Sequence, residues 1–175
     1  LERVLNCEVV TLHCELTDKQ PWPSRHLLGE AQLAQLSPHQ LLINASRGAV
    51  IDNQALCAHL QQPTAAVVVL DVWENEPDIS FDLLERVRFG TAHIAGYSLD
   101  GKLLATQMLA DAAAEFLQLG AFEDVGKTNS VAPAAAPQMS ANWEGAQLVR
   151  GLIPQRYDIR EDDALLRNAQ TYPSG

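Results

Sequence analysis

Short apolar runs alternate with amphipathic stretches over the first two-thirds of the chain. Four runs have the length and the β-branched or aromatic content of buried strands, and they lie at residues 8–12, 41–44, 65–72 and 88–91. Apolar spacing or a capping residue predicts helices at residues 26–36, 53–61, 81–87 and 101–119. Strands that alternate with helices in this way predict an α/β fold built on a doubly wound parallel sheet.

The pattern changes after the last of these helices. Residues 131–137 are rich in proline and alanine and have no period, which is typical of a linker. Residues 143–151 can form one helical turn or more, and residues 158–167 are charged with Leu165 and Leu166 on one side; the residues beyond the linker are too few to bury a core alone. We therefore predict a sheet domain at 1–119, a linker at 120–142 and the beginning of a second domain at 143–175.

Composition narrows the kinds of partner that the chain can bind. It has 175 residues, with 12 Lys and Arg against 22 Asp and Glu, and the net charge of −10 argues against binding nucleic acid or an anionic membrane. No apolar run is long enough to span a bilayer. The three cysteines lack C-x-x-C spacing, which predicts reduced thiols and no metal site. We expect a soluble, acidic, cytoplasmic protein.

An arginine and a glycine follow the second predicted strand directly. Ligands of open α/β sheets bind at the carboxyl ends of the strands, so Arg47 and Gly48 lie where a ligand is expected. A guanidinium there can form a two-pronged hydrogen-bonded pair with a carboxylate. The alternative is a surface loop in which Arg47 pairs with Asp52.

Acidic residues and a histidine follow the next two predicted strands. Asp71 can accept hydrogen bonds from a polar ligand, and Pro77 restricts the backbone of Glu76, which suits a positioned carboxylate. We interpret Glu74 as a solvated surface residue. His93 is a candidate acid or base because imidazole titrates near neutral pH, although a partly buried histidine with satisfied hydrogen bonds is the alternative.

An arginine for a carboxylate, a histidine for a proton and a glutamate to orient it are the groups that hydride transfer at a 2-hydroxy acid needs. The strings that contain them resemble the Arg, Glu and His motifs of the D-isomer-specific 2-hydroxyacid dehydrogenases in order and approximate spacing. These strings are I-N-A-S-R-G at 43–48, V-L-D-V-W-E-N-E-P at 69–77 and H-I-A-G at 93–96. The resemblance covers residues 8–119 and implies a partial Rossmann-like sheet that binds NAD.

The resemblance also implies a role for each site residue. Arg47 would bind the substrate carboxylate and polarise the C2 oxygen, His93 would take the hydroxyl proton, and Glu76 would orient His93. Tyr97 would contact the substrate together with Arg47 and His93. The residues implied along the cofactor are Cys14, Ala45, Ser46, Arg47, Asp71 and Gly96.

Two further segments resemble one branch of this family. They are Tyr97 within H-I-A-G-Y and the charged stretch at 157–167. That branch acts on a small phosphorylated 2-hydroxy acid and has an extra C-terminal α+β dimerisation domain, so the resemblance implies a homodimer whose dimerisation domain begins at 143–175. Two alternatives stay open, namely a dehydrogenase of the same family for another 2-hydroxy acid and a non-catalytic NAD-sensing or oligomerisation module.

The sequence departs from the family in its cofactor motifs. It contains no Gly-x-Gly-x-x-Gly string, whose backbone N–H groups hold the pyrophosphate in the family, and Cys14-Glu15 stands where relatives commonly have Thr-Pro. We expect the chain to be the C-terminal part of a longer enzyme.

Calorimetry on the isolated chain should therefore detect no micromolar affinity for NAD, and a micromolar Kd would show that the glycine-rich half is dispensable.

Overall fold

A parallel four-stranded sheet forms the centre of the first of two compact units. The structure is a computed structural model, and it describes residues 1–120, 136–139 and 144–169. The first unit comprises Leu1–His93 and the chain from Ile159, and the second comprises Ile94–Asp158. The strands pair in chain order and are β1 Val9–Leu12, β2 Leu41–Asn44, β3 Val67–Leu70 and β4 Phe89–Gly90.

Seven helices accompany these strands in the described ranges. They are α1 Glu2–Leu5, α2 Glu30–Leu33, α3 Asn53–His59, α4 Phe81–Arg86, α5 Leu99–Leu117, α6 Ala146–Arg156 and α7 Ile159–Ala169. A 3₁₀ turn at Gly48–Val50 follows β2. This architecture confirms the predicted α/β class. Among the helices described, none combines the length and the apolar content that crossing a bilayer requires.

The core lies on one face of the sheet. Val10, Leu42 and Val68 are at most 2% exposed and pack with leucines of α2, α3 and α4. The alternate residues Val9 and Val67 are 54% and 42% exposed. The prediction of a buried strand at residues 65–72 is therefore wrong at Val67, because the helices of this core cover only the opposite face.

The predicted helix at 26–36 is a helix only at Glu30–Leu33. His26 adopts a φ of 49°, in the left-handed region, and its N–H donates to the carbonyl of Ala49 at 2.8 Å. Leu28 then pairs with Val50 and Asp52 through backbone hydrogen bonds of 3.2 and 3.1 Å. These long-range bonds use the backbone groups that a first helical turn would need, and they bury Leu28 completely.

Side-chain caps set the beginnings of three helices. The carboxylate of Asp52 accepts from the Ala55 N–H at the beginning of α3, where the sequence predicts a helix from residue 53. Ser80 caps α4 in the same way, and Ser98 caps α5, so that α5 begins at Leu99, two residues before the predicted start.

The predicted domain limits stay a prediction. Residues 121–135, 140–143 and 170–175, which include most of the predicted linker, lie outside the described residues.

We expect His59 to make the stability of the first unit depend on pH. Its side chain is buried, its Nε2 accepts from the Ala66 N–H at 3.4 Å, and burial lowers its pKa. The unfolded chain binds the proton first as pH falls below about 6.5, so the free energy of unfolding decreases from that pH downward.

Replacement of His59 by Gln should flatten this decrease in urea unfolding measured between about pH 7.5 and 5.5. His39→Gln is the matched control, because His39 is exposed. Equal pH slopes for the unsubstituted chain and His59→Gln would contradict the expectation.

Candidate functional site

Three loops leave the sheet at the same edge. β2, β3 and β4 are parallel neighbours, and their register pairs Asn44 with Leu70 and Leu70 with Gly90. The loops that follow them contain Arg47, Glu76 and His93. The common strand direction and this register therefore bring the three predicted segments to one edge, as expected for an open α/β sheet.

A carboxylate joins the loop after β3 to the loop after β4. Glu76 Oε2 lies 2.8 Å from His93 Nδ1, and Glu76 Oε1 accepts from the Trp73 N–H at 2.7 Å. The side chains of Glu76 and His93 are 33% and 35% exposed, so the pair is neither fully buried nor fully solvated. A carboxylate on Nδ1 favours the Nδ1–H tautomer of the neutral ring, which leaves proton acceptance to Nε2.

The backbone fixes His93 in an uncommon conformation. Its φ is 56°, in the left-handed region, and its N–H donates to the carbonyl of Asp71 at 2.7 Å. The neighbouring Thr91 donates its hydroxyl to the buried carboxylate of Asp71, and its carbonyl accepts from the Trp73 indole at 2.9 Å. Residues with a positive φ that the surrounding structure holds in place cluster at functional sites.

Asn44, at the end of β2, organises the loop that carries Arg47. Its buried side-chain oxygen accepts from the Ser46 N–H at 3.1 Å and hydroxyl at 2.8 Å, and its amide donates to the Arg47 carbonyl at 3.0 Å. The guanidinium of Arg47 donates to the Ser46 carbonyl at 2.7 Å, and Arg47 is exposed. Asp52 caps α3 and does not pair with Arg47, so the surface-pair alternative is wrong.

Gly48 brings the Arg47 loop against the loop after β3. A Cβ built on Gly48 would lie 1.9 Å from the carbonyl oxygen of Trp73. No side chain fits in that space, so the backbone that follows Arg47 contacts the residue whose N–H holds Glu76.

Hydrogen bonds between Asn53 and Glu74 also join these two loops, and they were not predicted from the sequence. Glu74 accepts from the Asn53 N–H at 2.9 Å, and the side-chain oxygen of Asn53 accepts from the Glu74 N–H at 3.1 Å. Glu74 also lies 2.7 Å from His26 Nε2. The interpretation of Glu74 as a solvated residue is wrong, since its side chain is only 21% exposed. The one local signal was the position of Asn53 directly after a helix cap.

The remaining predicted residues are placed as follows. Ser46 and Asp71 are buried, and Ala45 is half-buried. Cys14 is half-buried and packs on the core beyond β1. Gly96 and Tyr97 belong to the second unit, where Tyr97 is 65% exposed and Lys102 Nζ lies 3.9 Å from its ring centroid.

Residues 1–95 match the family described as the D-isomer specific 2-hydroxyacid dehydrogenase, NAD binding domain. Two curated relatives named erythronate-4-phosphate dehydrogenase, from Cellvibrio japonicus and Marinobacter nauticus, are 44% and 43% identical over 167 residues. Each match covers 95% of this chain and 44% of the relative, so the chain spans less than half the length of these proteins.

Solved structures of dehydrogenases and reductases have a fold similar to that of this chain. A glyoxylate reductase from Paecilomyes thermophila has 27% identity and a TM-score of 0.56, with 73% of this chain and 38% of that chain covered. An NADPH-dependent glyoxylate/hydroxypyruvate reductase from Sinorhizobium meliloti has 26% identity and a TM-score of 0.56, with 73% and 39% covered.

Gly48 offers a direct test of how closely the two loops approach. Gly48→Ala should lower the free energy of unfolding by about 1–3 kcal/mol in urea unfolding, because the added methyl group must displace the Trp73 backbone. Gly120→Ala is the control, since a Cβ there meets nothing within 4 Å. Equal effects of the two substitutions would contradict the close approach.

Proposed function

The chain belongs to the D-isomer-specific 2-hydroxyacid dehydrogenase family, and on that premise we propose that it carries the proton-transfer residues of an NAD-dependent dehydrogenase. The substrate that we propose is 4-phospho-D-erythronate, oxidised to 3-hydroxy-2-oxo-4-phosphobutanoate. The observation that carries the proposal is the 2.8 Å contact between Glu76 and His93 at the carboxyl edge of the sheet. The named relatives, 44% and 43% identical, support the choice of substrate.

His93 acts as the general base in this proposal. Oxidation at C2 removes one proton from the hydroxyl oxygen and one hydride from the carbon, and His93 Nε2 takes the proton. Glu76 holds Nδ1, which fixes the ring orientation and stabilises the imidazolium that forms. The Trp73 N–H holds the Glu76 carboxylate, and the Trp73 indole holds the Thr91 carbonyl two residues before His93, so the imidazole needs little reorganisation when the proton moves.

Arg47 binds the substrate carboxylate. Its guanidinium is exposed and can exchange the Ser46 carbonyl for two carboxylate oxygens, which bind a guanidinium more strongly than a neutral acceptor does. The same guanidinium can polarise the C2 oxygen as it becomes a carbonyl. The close packing of Gly48 and the hydrogen bonds between Asn53 and Glu74 hold the backbone of this loop in place.

The residues after β2 and β3 fit the nicotinamide end of NAD by their chemistry. Asp71 is a buried carboxylate oriented by Thr91, and a carboxylate accepts hydrogen bonds from an amide such as the nicotinamide carboxamide. Ala45, Ser46, Cys14 and Gly96 are the further contacts that we propose. NAD supplies, when bound, the carbon that accepts the hydride. The glycine-rich motif for the pyrophosphate is not among the 175 residues.

The role of Tyr97, the oligomeric state and the cellular location are proposed from the resemblance of the Tyr97 and 157–167 segments to one branch of the family. We propose that Tyr97 contacts the substrate near its phosphate, and that the complete enzyme is a cytoplasmic homodimer. The reaction would then be a step of pyridoxal 5′-phosphate biosynthesis. The structurally similar reductases of glyoxylate and hydroxypyruvate favour a second candidate, in which the substrate is an unphosphorylated acid.

A chimera tests the proposal directly. In it, this chain replaces the matched 44% of the C. japonicus relative. The chimera should form NADH from 4-phospho-D-erythronate, and His93→Ala should lower kcat by about 10²–10⁴-fold because the proton acceptor is lost. His39→Ala is the matched control and should keep the rate, since His39 is exposed and follows no strand end.

Three results would count against the proposal. One is a folded chimera that binds NAD and forms no NADH, and another is full activity of His93→Ala. The third, a preference for D-glycerate over the four-carbon phosphate, would favour the second candidate and leave the roles of His93 and Glu76 intact.

A further inference from the structure

Helix α7 contacts the backbone that leads into His93. Its Asp163 Oδ1 accepts from the Gly90 N–H of β4 at 2.7 Å. Its Arg167 donates to the carbonyls of Leu84 at 2.6 Å and Val87 at 3.2 Å, at the C-terminal end of α4. Two side chains from the far end of the sequence therefore hold the segment from α4 to β4 by its main chain.

The two side chains also hold each other. Arg167 Nε and Nη2 donate to the two carboxylate oxygens of Asp163, each at 2.9 Å. Burial raises the pKa of Asp163, but the hydrogen bonds from Arg167 and the Gly90 N–H outweigh it and lower that pKa overall. The ionised carboxylate is only 15% exposed, unlike the carboxylates of most surface ion pairs, which contribute little.

Gly90 is fixed on its other side as well. A Cβ at this position would lie 2.3 Å from Leu84 Cδ1 and 2.8 Å from the Trp73 ring, so the backbone is packed against both side chains. Trp73 is the residue whose N–H donates to Glu76. From Gly90 onward, the Thr91 N–H donates to the Leu70 carbonyl and the His93 N–H to the Asp71 carbonyl.

The same helix forms part of a cavity beside the proposed base. Leu166 and Ala169 of α7 line a space of about 270 Å³ whose other walls include Glu76, His93 and Trp73. α7 therefore lies near the proposed reaction site as well as along β4.

We propose that Asp163 and Arg167 are positioning residues that hold β4 and thereby keep His93 against Glu76. This inference rests on the proposed function of His93. β4 has two residues and no strand on its outer side in the described sheet, so few ladder bonds fix it. The contact of Gly90 with Asp163 supplies the missing hydrogen bond on the outer side, three residues before His93.

Hydrogen exchange measured by NMR on the 175-residue chain tests the positioning without an activity assay. Asp163→Ala should speed exchange at Gly90, Thr91 and His93 by about tenfold or more, because a hydrogen bond to a charged acceptor is lost. The Leu41 and Val67 amides, which bond across β1–β2 and β2–β3, should change by less than about twofold.

Two further variants distinguish the contacts of Asp163 and Arg167 with the α4–β4 backbone from an ordinary surface ion pair. Asp82→Ala is the matched control, since Asp82 forms an i,i+4 pair with Arg86 at 2.9 Å and should leave Gly90 and His93 unchanged. The reversed pair, Asp163→Arg with Arg167→Asp, keeps opposite charges but offers Gly90 no acceptor at position 163. It should exchange as fast as Asp163→Ala.

Activity of the chimera supplies the second readout. Asp163→Ala should lower kcat by about tenfold with KM within about twofold, because a displaced base slows proton transfer more than it weakens binding. Unchanged exchange at Gly90–His93, equal acceleration at Leu41 and Val67, or an unchanged kcat would each overturn the inference. A folded chimera that binds NAD but has no activity in any form would contradict the proposed function, while the exchange data would still decide whether Asp163 and Arg167 hold β4.

Discussion

The in-register ends of three parallel strands are the constraint on which the site depends. Asn44, Leu70 and Gly90 lie on one row, and the ladder continues past it. The Asn44 carbonyl accepts from the Asp71 N–H, and the Leu70 carbonyl accepts from the Thr91 N–H, each at 2.9 Å. A shift of one residue in any strand would turn its side chains to the other face of the sheet and move its following loop along the edge, because side chains alternate along a strand. The approach of Glu76 to His93 therefore follows from backbone pairing.

The sequence predicts this part of the molecule well because the information is local. A short β-branched run marks β3, and the residues that follow it are polar within one position of the strand end. Since parallel strands share a carboxyl edge, the order of the motifs is enough to place Arg47, Glu76 and His93 at that edge. The observed strands are shorter than the predicted ones at β1, β3 and β4, although flanking residues such as Asp71 and Thr91 still form backbone hydrogen bonds to the neighbouring strand.

Contacts between distant residues could not be predicted from the sequence. His26 and Glu74 are 48 positions apart, and Asp163 and Gly90 are 73 apart. Apolar periodicity describes which face of an element is buried, and it contains no information on which backbone N–H a remote carboxylate will meet. The observed helix α2 is shorter than the one predicted at 26–36 for the same reason. His26 and Leu28 form backbone hydrogen bonds with residues 49–52, so the first predicted helical turn does not form.

The tautomer of His93 is the most direct measure of whether the sheet edge forms a proton-transfer site. With Glu76 on Nδ1, the neutral ring should carry its proton there, and ¹⁵N NMR should find Nδ1 pyrrole-type and Nε2 pyridine-type at high pH. In Glu76→Gln this preference should weaken, since a neutral amide holds the N–H less strongly than a carboxylate does. A neutral ring protonated on Nε2 in the unsubstituted chain would contradict the account.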